Sequence, residues 1–439
     1  MILPIPLLGT TDLTARVSVV EGYNTNVEQT EDTPGGPVTP HPSPFTGADG
    51  MLELRVVGEY SEHDFRIEGR GQHYEPLEHF TETDDGTGNA SWTSLFVLGK
   101  NDTVRFLGTG TVSKLNSARI SDGIIYQFDP ALLDTTFMIL SGELSFTHEF
   151  SATWRLIESA GDVASYTFSQ PPIFLQNGQR LAHKGLDYYQ PFSESSLLHD
   201  FSPNNTGELR FVYQFTHAPV VYDFAGNVPV DIGPEDTQIA ELTAGFSHHF
   251  SPEFYAFGRL GGTVSSVPPQ STDTRPIFEP TLSLDAYYTK PYWYAHAGAG
   301  YDYAALDPRL GAGATLSGDA QLVGTPIPKG AWMNFAVLFD VHASHTDLTT
   351  GAVGGQFTPS PVIQSTNLDL VAASAQIRYA LNSWLGILGG YDLHYATFAG
   401  QSAFPPVFQN IVYLGLSGFF STDRTTPTLT TFVPPLRSL

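Results

Sequence analysis

The chain predicts an all-β fold, a transmembrane antiparallel up-and-down β-barrel of about eighteen strands within a range of about 16 to 20. Three observations carry this. Apolar and polar side chains alternate with period two in segments of about ten residues, and helical periodicity is almost absent. Short and long connections alternate between the segments, as in barrels with tight turns at one rim and loops at the other. Aromatic residues crowd the segment ends beside the short connections, among them Tyr60, Phe65, Trp92, Phe150, Trp154, Phe250, Phe254, Tyr288, Trp293, Trp332, Tyr379 and Trp384, where an interfacial girdle would stand.

Taken in order, the alternation places strands at 13–25, 51–60, 63–74, 90–99, 102–113, 137–150, 152–167, 192–202 and 206–218. The second half adds 237–250, 253–265, 279–289, 291–304, 312–323, 331–345, 367–380, 383–397 and 410–421. MLELRVVGEY shows the pattern: Leu52, Leu54, Val56 and Tyr60 share one face, and Glu53, Arg55 and Glu59 the other. GELRFVYQFT sets Leu209, Phe211, Tyr213 and Phe215 against Glu208, Arg210, Gln214 and Thr216. Alternation is patchy in 152–167 and 192–202, and IIYQF (Ile124 to Phe128) reads as a strand or as part of a folded loop. Short connections fall at SEHD, GKND, FSAT, FSPE, TKPY and LNSW. Long polar loops are expected over Glu28–Gly50, Leu77–Gly88, Gln170–Gln190, Asp223–Asp236 and Thr346–Ser365.

A soluble β-sandwich also alternates, but it shows water a face of Lys, Thr and Ser. Here the polar face is Glu, Arg, Asp, Gln and Gly, and only 15% of residues are charged against about 25% in soluble domains. In hydrocarbon every backbone N–H and C=O needs a partner within the protein, so a sheet must close on itself. No run of apolar residues is long enough for a transmembrane helix. The net charge of −25 argues against nucleic acid and against basic docking on anionic head groups. With no Cys, disulfides, thiolate metal sites and covalent haem attachment are excluded. The start, MILPIPLLGTTD, lacks a basic n-region and is broken by Pro4 and Pro6, so it makes a poor signal peptide.

Near the end, IVYLGLSGFF sets Val412, Leu414, Leu416 and Phe420 on one face. This resembles the terminal β-signal of Gram-negative outer-membrane barrels, an aromatic residue preceded by apolar residues at alternate positions. Gly418 and the tail after Ser421 depart from it. The resemblance to porin-like barrels implies an outer-membrane location, lipid and lipopolysaccharide as surroundings, and both termini in the periplasm. On that reading 1–12 is an N-terminal extension, 13–421 the barrel and 422–439 a Pro/Thr-rich tail. The two ends are read as disordered, or as segments that bind a periplasmic or surface protein partner or plug the lumen.

The inward positions then line a wide interior. In the first half they are Arg16, Glu53, Arg55, Glu59, Arg66, Glu68, Arg70, Arg105, Glu143, Glu208, Arg210, Glu241 and Arg259. Signs are mixed there, and Glu53, Arg55, Glu68 and Arg70 are placed to pair across strands. Later come Asp285, Asp302, Asp319, Asp340, Arg378 and Asp392, a mainly acidic set. These read as wall salt bridges or as a transverse field favouring cations or zwitterions. The loop Gln170–Gln190 is a candidate constriction. The pairs His296/Asp302, Asp340/His342 and Asp392/His394 fall on alternate strands, roughly 10 Å apart, too far for one metal site. Acidic loop stretches around Asp32, Asp84 and Glu235 read as solvated surface or as divalent-cation bridges, and DDGTGN lacks the Ca²⁺-loop spacing. No inward Ser–His pairing suggests an enzyme, and no cofactor, metal or catalytic residue is expected. The expected function is a channel for small solutes or, with partners, for an exported substrate. The rival is a structural barrel that anchors an envelope assembly, including a sheath for a separate electron-transfer protein.

Overall fold

In the computed structural model the described residues are 10–28, 41–75, 84–115, 135–169, 173–174, 180–181, 187–225, 228–266, 276–307, 311–325, 335–347, 367–382, 384–399 and 407–422. The strands are β1 (Thr10–Glu28), β2 (His41–Val57), β3 (Ser61–Tyr74), β4 (Asp84–Val97), β5 (Asp102–Leu115), β6 (Thr135–Glu149) and β7 (Trp154–Ser169). A two-residue ladder follows, β8 (Ile173–Phe174) with β9 (Arg180–Leu181). Then come β10 (Tyr188–Ser202), β11 (Asn205–Ala225), β12 (Val228–His249), β13 (Phe254–Ser265), β14 (Ile277–Lys290) and β15 (Trp293–Asp307). The ring is completed by β16 (Gly311–Gly324), β17 (Phe335–Asp347), β18 (Asn367–Ala380), β19 (Leu385–Ala399) and β20 (Val407–Ser421). Setting β8 and β9 aside, eighteen strands form one antiparallel sheet. It closes where β20 pairs with β1 from Thr14↔Ser421 to Asn24↔Ile411.

Closure removes both sheet edges, as the alternation requires. The outward face is apolar over most of the ring. Val412, Leu414, Leu416 and Phe420 are all more than half exposed, as are Ile67, Leu209, Leu242, Leu260 and Leu284. In water this would be untenable for a monomer of this kind. Against hydrocarbon it is the expected surface.

Short connections recur with one sequence, His-x-Phe-Ser, at His148–Ser151, His199–Ser202 and His248–Ser251. The Ser hydroxyl accepts backbone N–H groups of the turn: Ser151 Oγ those of Thr153 and Trp154, Ser251 Oγ those of Glu253 and Phe254. The His ring meets the Phe ring two residues on, edge to face, at 4.4 to 4.6 Å. Asn382 serves the β18–β19 turn in the same way.

Large rings lie flat over glycines of the neighbouring strand. A β-carbon on Gly390 would stand 2.2 Å from Tyr413 Cζ, and one on Gly161 2.6 Å from Phe192 Cζ. Such pairs let an aromatic cover a pleat that any side chain would fill.

Several expected boundaries shift. Residues 41–50, expected in a loop, belong to β2, where Phe45 pairs with Gly22 and Pro44 with Tyr23. Pro42 and Pro44 are tolerated because they fall at the strand's start. Residues 84–88 belong to β4 and 188–190 to β10. The expected loop 223–236 is largely ladder, since β11 and β12 run on to Ala225 and Val228 with register shifts near Val221. Glycine, proline and acid content suggested loops there, but pairing to a neighbour satisfies the backbone whatever the composition. The patchy strands also have a cause. The register puts Glu158 and Asp162 of β7 and Ser193 and Ser195 of β10 on the outward face, interrupting its apolar run. Ser195 Oγ donates to Glu158 Oε2 at 2.6 Å. IIYQF, Trp332, the acids around Asp32, the start through Gly9 and the tail from Asp423 lie outside the described residues.

Candidate functional site

The candidate site is the inner wall, and strand register fixes its composition. Of the residues expected to face inward, Glu59 does not join the wall: it is exposed in the turn Gly58–Tyr60, because β2 ends at Val57. The others occupy inward register positions from Arg16 on β1 to Asp392 on β19. Arg105 stands opposite Ser145, and Glu143 accepts from Ser145 Oγ at 2.7 Å.

From β1 to β13 the wall is a ladder of ion pairs. Arg16 lies 3.4 Å from Asp49, Arg55 2.7 Å from Glu62, and Arg66 2.6 Å from Glu68. Arg210 bridges Glu194 at 2.7 Å and Glu241 at 2.9 Å, while Arg259 grips Glu208 through two nitrogens at 2.9 and 3.2 Å. Arg155 adds a pair with Asp200 at 3.2 Å. The expected grouping of Glu53, Arg55, Glu68 and Arg70 is thus divided: Arg55 takes Glu62, and Arg66, opposite Glu53, takes Glu68. Asp49, Glu62, Arg155, Glu194 and Asp200 were not anticipated. Their signal, charged residues at inward spacing, was available in the sequence, but the irregular outward face of β7 and β10 obscured the phase there.

From β14 to β19 the chemistry changes. His296 lies 3.0 Å from Asp285 through Nε2 and 3.0 Å from Asp319 through Nδ1. Gly298 makes this possible. A β-carbon there would stand 2.9 Å from an oxygen of each carboxylate, so the two acids close over a bare backbone. Tyr287 stacks on His296 at 4.5 Å and on Tyr255 at 4.6 Å. The sequence put His296 and Asp302 on one inward face; in the structure β14 and β16, flanking His296, bring Asp285 and Asp319 directly to it. Asp319 stands opposite His342, Asp340 opposite Ser374, and Ser374 opposite Asp392. His394 follows two residues after Asp392 on the same face. Asp and His side chains thus gather on β14 to β17 and on β19, with Ser374 of β18 between Asp340 and Asp392. Arg378, an inward cation of this arc, is only 7% exposed and donates to Ser417 Oγ at 2.9 Å. Among the described residues no three His, Asp or Glu side chains converge as metal ligands.

The sequence reading also missed an inward apolar cluster at the closure seam. Val20, Phe45, Tyr74, Leu388 and Ile411 are buried together, with Tyr413 packed against them. Tyr74 donates to Gln72 Oε1 at 2.9 Å, and Gln376 Nε2 donates to the Tyr413 hydroxyl at 3.2 Å. Only the pairing of last strand to first brings these residues together.

No protein-family profile matches the sequence, and no curated protein matches it either. Among solved structures the chain is similar to a copper transporter, OprC, at 8% identity and a TM-score of 0.47, covering 94% of this chain and 80% of that one. It is also similar to the siderophore receptor PiuA from Acinetobacter baumannii, at 8% identity and a TM-score of 0.44, covering 94% and 82%. OccAB4 from Acinetobacter baumannii is similar at 9% identity and a TM-score of 0.39, covering 95% and 100%.

Proposed function

We propose that the protein is a passive outer-membrane channel, with both termini on the periplasmic side, whose aqueous bore favours cations and zwitterions over anions. The supporting observation is the unequal wall. Six arginines of β1 to β13, Arg16, Arg55, Arg66, Arg155, Arg210 and Arg259, each lie within 3.4 Å of a carboxylate, so positive and negative groups are mixed on that side. On β14 to β19 the carboxylates Asp285, Asp302, Asp319, Asp340 and Asp392 outnumber Arg378. The histidines among them carry charge only when protonated. A ring of eighteen strands is too wide for wall side chains to fill, so a field across it acts on whatever passes. No step of chemistry is assigned to these residues; size, wall polarity and charge do the selecting. The long connections, including 170–187 with its β8–β9 ladder, are the natural place for a constriction.

Planar-bilayer recording tests this. The reading expects large ohmic steps and a reversal potential set by cations in a salt gradient. Replacing Asp340 and Asp392 by Asn is expected to shift that potential toward the anion value. Unchanged selectivity retires the charge assignment. A silent barrel that co-purifies with envelope proteins replaces the channel by the scaffold reading.

A further inference from the structure

The apolar outward face is interrupted on β7 and β10. There β7 carries Glu158, Ala160 and Asp162, and β10 carries Pro191, Ser193 and Ser195. Gly142 of β6 stands opposite Asp162. Leu144 and Phe146 of β6 bound this patch on one side, Phe211 and Tyr213 of β11 on the other, all exposed. The aromatics of β7 fix its height. Trp154 lies at the short-turn end and Tyr166 twelve positions on, both outward and both exposed. At a rise of about 3.3 Å per residue and a tilt of about 40°, that stretch spans roughly 30 Å, the thickness of the hydrocarbon layer. Glu158 stands a third of the way along it and Asp162 two thirds.

Head groups do not reach those depths, and hydrocarbon offers a carboxylate no donor. Within the chain Glu158 accepts from Ser195 Oγ at 2.6 Å, which uses one of its several acceptor positions. Glu158 and Ser193 are nevertheless exposed. Ser193 stands opposite Ala160, which has no atom to accept its hydroxyl proton. Acceptors therefore line β7, and an exposed donor lies beside them on β10. Gly142, Ala160 and Ser193 also form a notch of small side chains between larger ones, where a second backbone can approach closely. A two-fold axis along the membrane normal, passing between β7 and β10, turns β7 of one copy onto β10 of another at the same height. Acceptors of each copy then face donors of the other. The two β7 strands stay roughly 11 Å apart, one strand spacing sideways and one sheet spacing across, so like charges are kept off one another.

We propose that this patch is the contact between two copies of the chain, packed side by side in the membrane about that axis. The Ser193 hydroxyl of each copy donates to a β7 carboxylate of the other, so two equivalent hydrogen bonds cross the axis. Pairing takes Glu158 and Asp162 out of contact with acyl chains, and each copy keeps its own bore. A partner bearing cations would match the acids alone; a second copy matches acids and hydroxyl together. The inference goes beyond the channel reading and rests on the barrel being membrane-embedded.

The test uses the full chain in phosphatidylcholine liposomes and in detergent. The sequence has no Cys, so a single introduced cysteine reports proximity without background. Ala160→Cys, beside the axis, is expected to give a disulfide-linked dimer on oxidation in liposomes. Ile377→Cys, outward on β18 across the ring, is expected to give none. Native mass spectrometry of the unaltered protein is expected to find two copies. Ser193→Ala removes the hydroxyl alone, and Glu158→Leu with Asp162→Leu removes both acids. Each change is expected to weaken the dimer by about tenfold, the worth of two modest hydrogen bonds in a membrane. The leucines are expected to leave Tm of the single barrel unchanged or higher. Should a leucine variant fail to fold, crosslinking through Ala160→Cys decides in a chain that keeps every polar residue. A protein that is monomeric at every protein-to-lipid ratio overturns the proposal. So does equal crosslinking at the two cysteine positions, or a dimer that survives both the alanine and the leucine changes. A monomer that still conducts leaves the channel reading standing, whereas failure to insert sinks both.

Discussion

Phe45 lies across Gly22: a β-carbon on that glycine would stand 2.3 Å from Cζ of the ring and 2.7 Å from the carbonyl oxygen of Val412. Gly22 is on the first strand, Phe45 on the second and Val412 on the last, so one missing side chain serves the contact that closes the ring. Gly22→Val is expected to overpack the seam and lower stability by about 1–3 kcal/mol. The measurement is the urea midpoint of the barrel in detergent, followed by the gel-shift between its folded and unfolded forms. An unchanged midpoint contradicts the seam's geometry.

The two faces of one strand should answer oppositely to the same substitution. Leu322 faces outward and Gln321, its chain neighbour, inward. Leu322→Arg is expected to lose about 2–4 kcal/mol if it lies near the bilayer midplane. Gln321→Arg, on the inward face opposite Asp340, is expected on the channel reading to cost far less and to move selectivity toward anions. Equal losses from both would show that the outer face is not lipid-facing.

Arg210 separates Glu194 from Glu241 at 2.7 and 2.9 Å. Arg210→Met leaves two carboxylates facing each other on the wall. On the channel reading, which makes the bore wet, the expected stability loss is about 1 kcal/mol, with cation preference raised in bilayer recordings. A loss of several kcal/mol would instead describe a dry interior.

The serine-capped turns act on separate hairpins. Ser151→Ala and Ser251→Ala each strip two backbone N–H groups of their hydroxyl acceptor. Each is expected to cost about 0.5–1.5 kcal/mol, and the double variant the sum. Thermal unfolding of the single and double variants checks both statements, and strong non-additivity would mean that the two turns are coupled.

Much of the fold was legible. Alternation with period two is a local property, so the eighteen segments, their faces and the closing role of Val412, Leu414, Leu416 and Phe420 could be read from the chain. Strand ends were less legible. In β2, β4 and the β11–β12 hairpin, glycine and proline suggested loops where a partner strand supplies the hydrogen bonds. Of the inward charges, Asp49, Glu62, Arg155, Glu194 and Asp200 went unnamed, and the partners were not legible, since pairing depends on register and a one-residue slip exchanges every contact. His296 shows this best: the sequence offered Asp302, six positions along its own strand, and the ladder delivered Asp285 and Asp319 from either side.

By itself, then, the sequence determined which side chains face outward and which face inward, because parity along a strand needs no knowledge of its neighbours. Only the closed sheet decided which carboxylate each paired arginine meets on one side, and that His296 lies between Asp285 and Asp319 on the other. Those are relations between neighbouring strands, and only their register in the closed ring sets them.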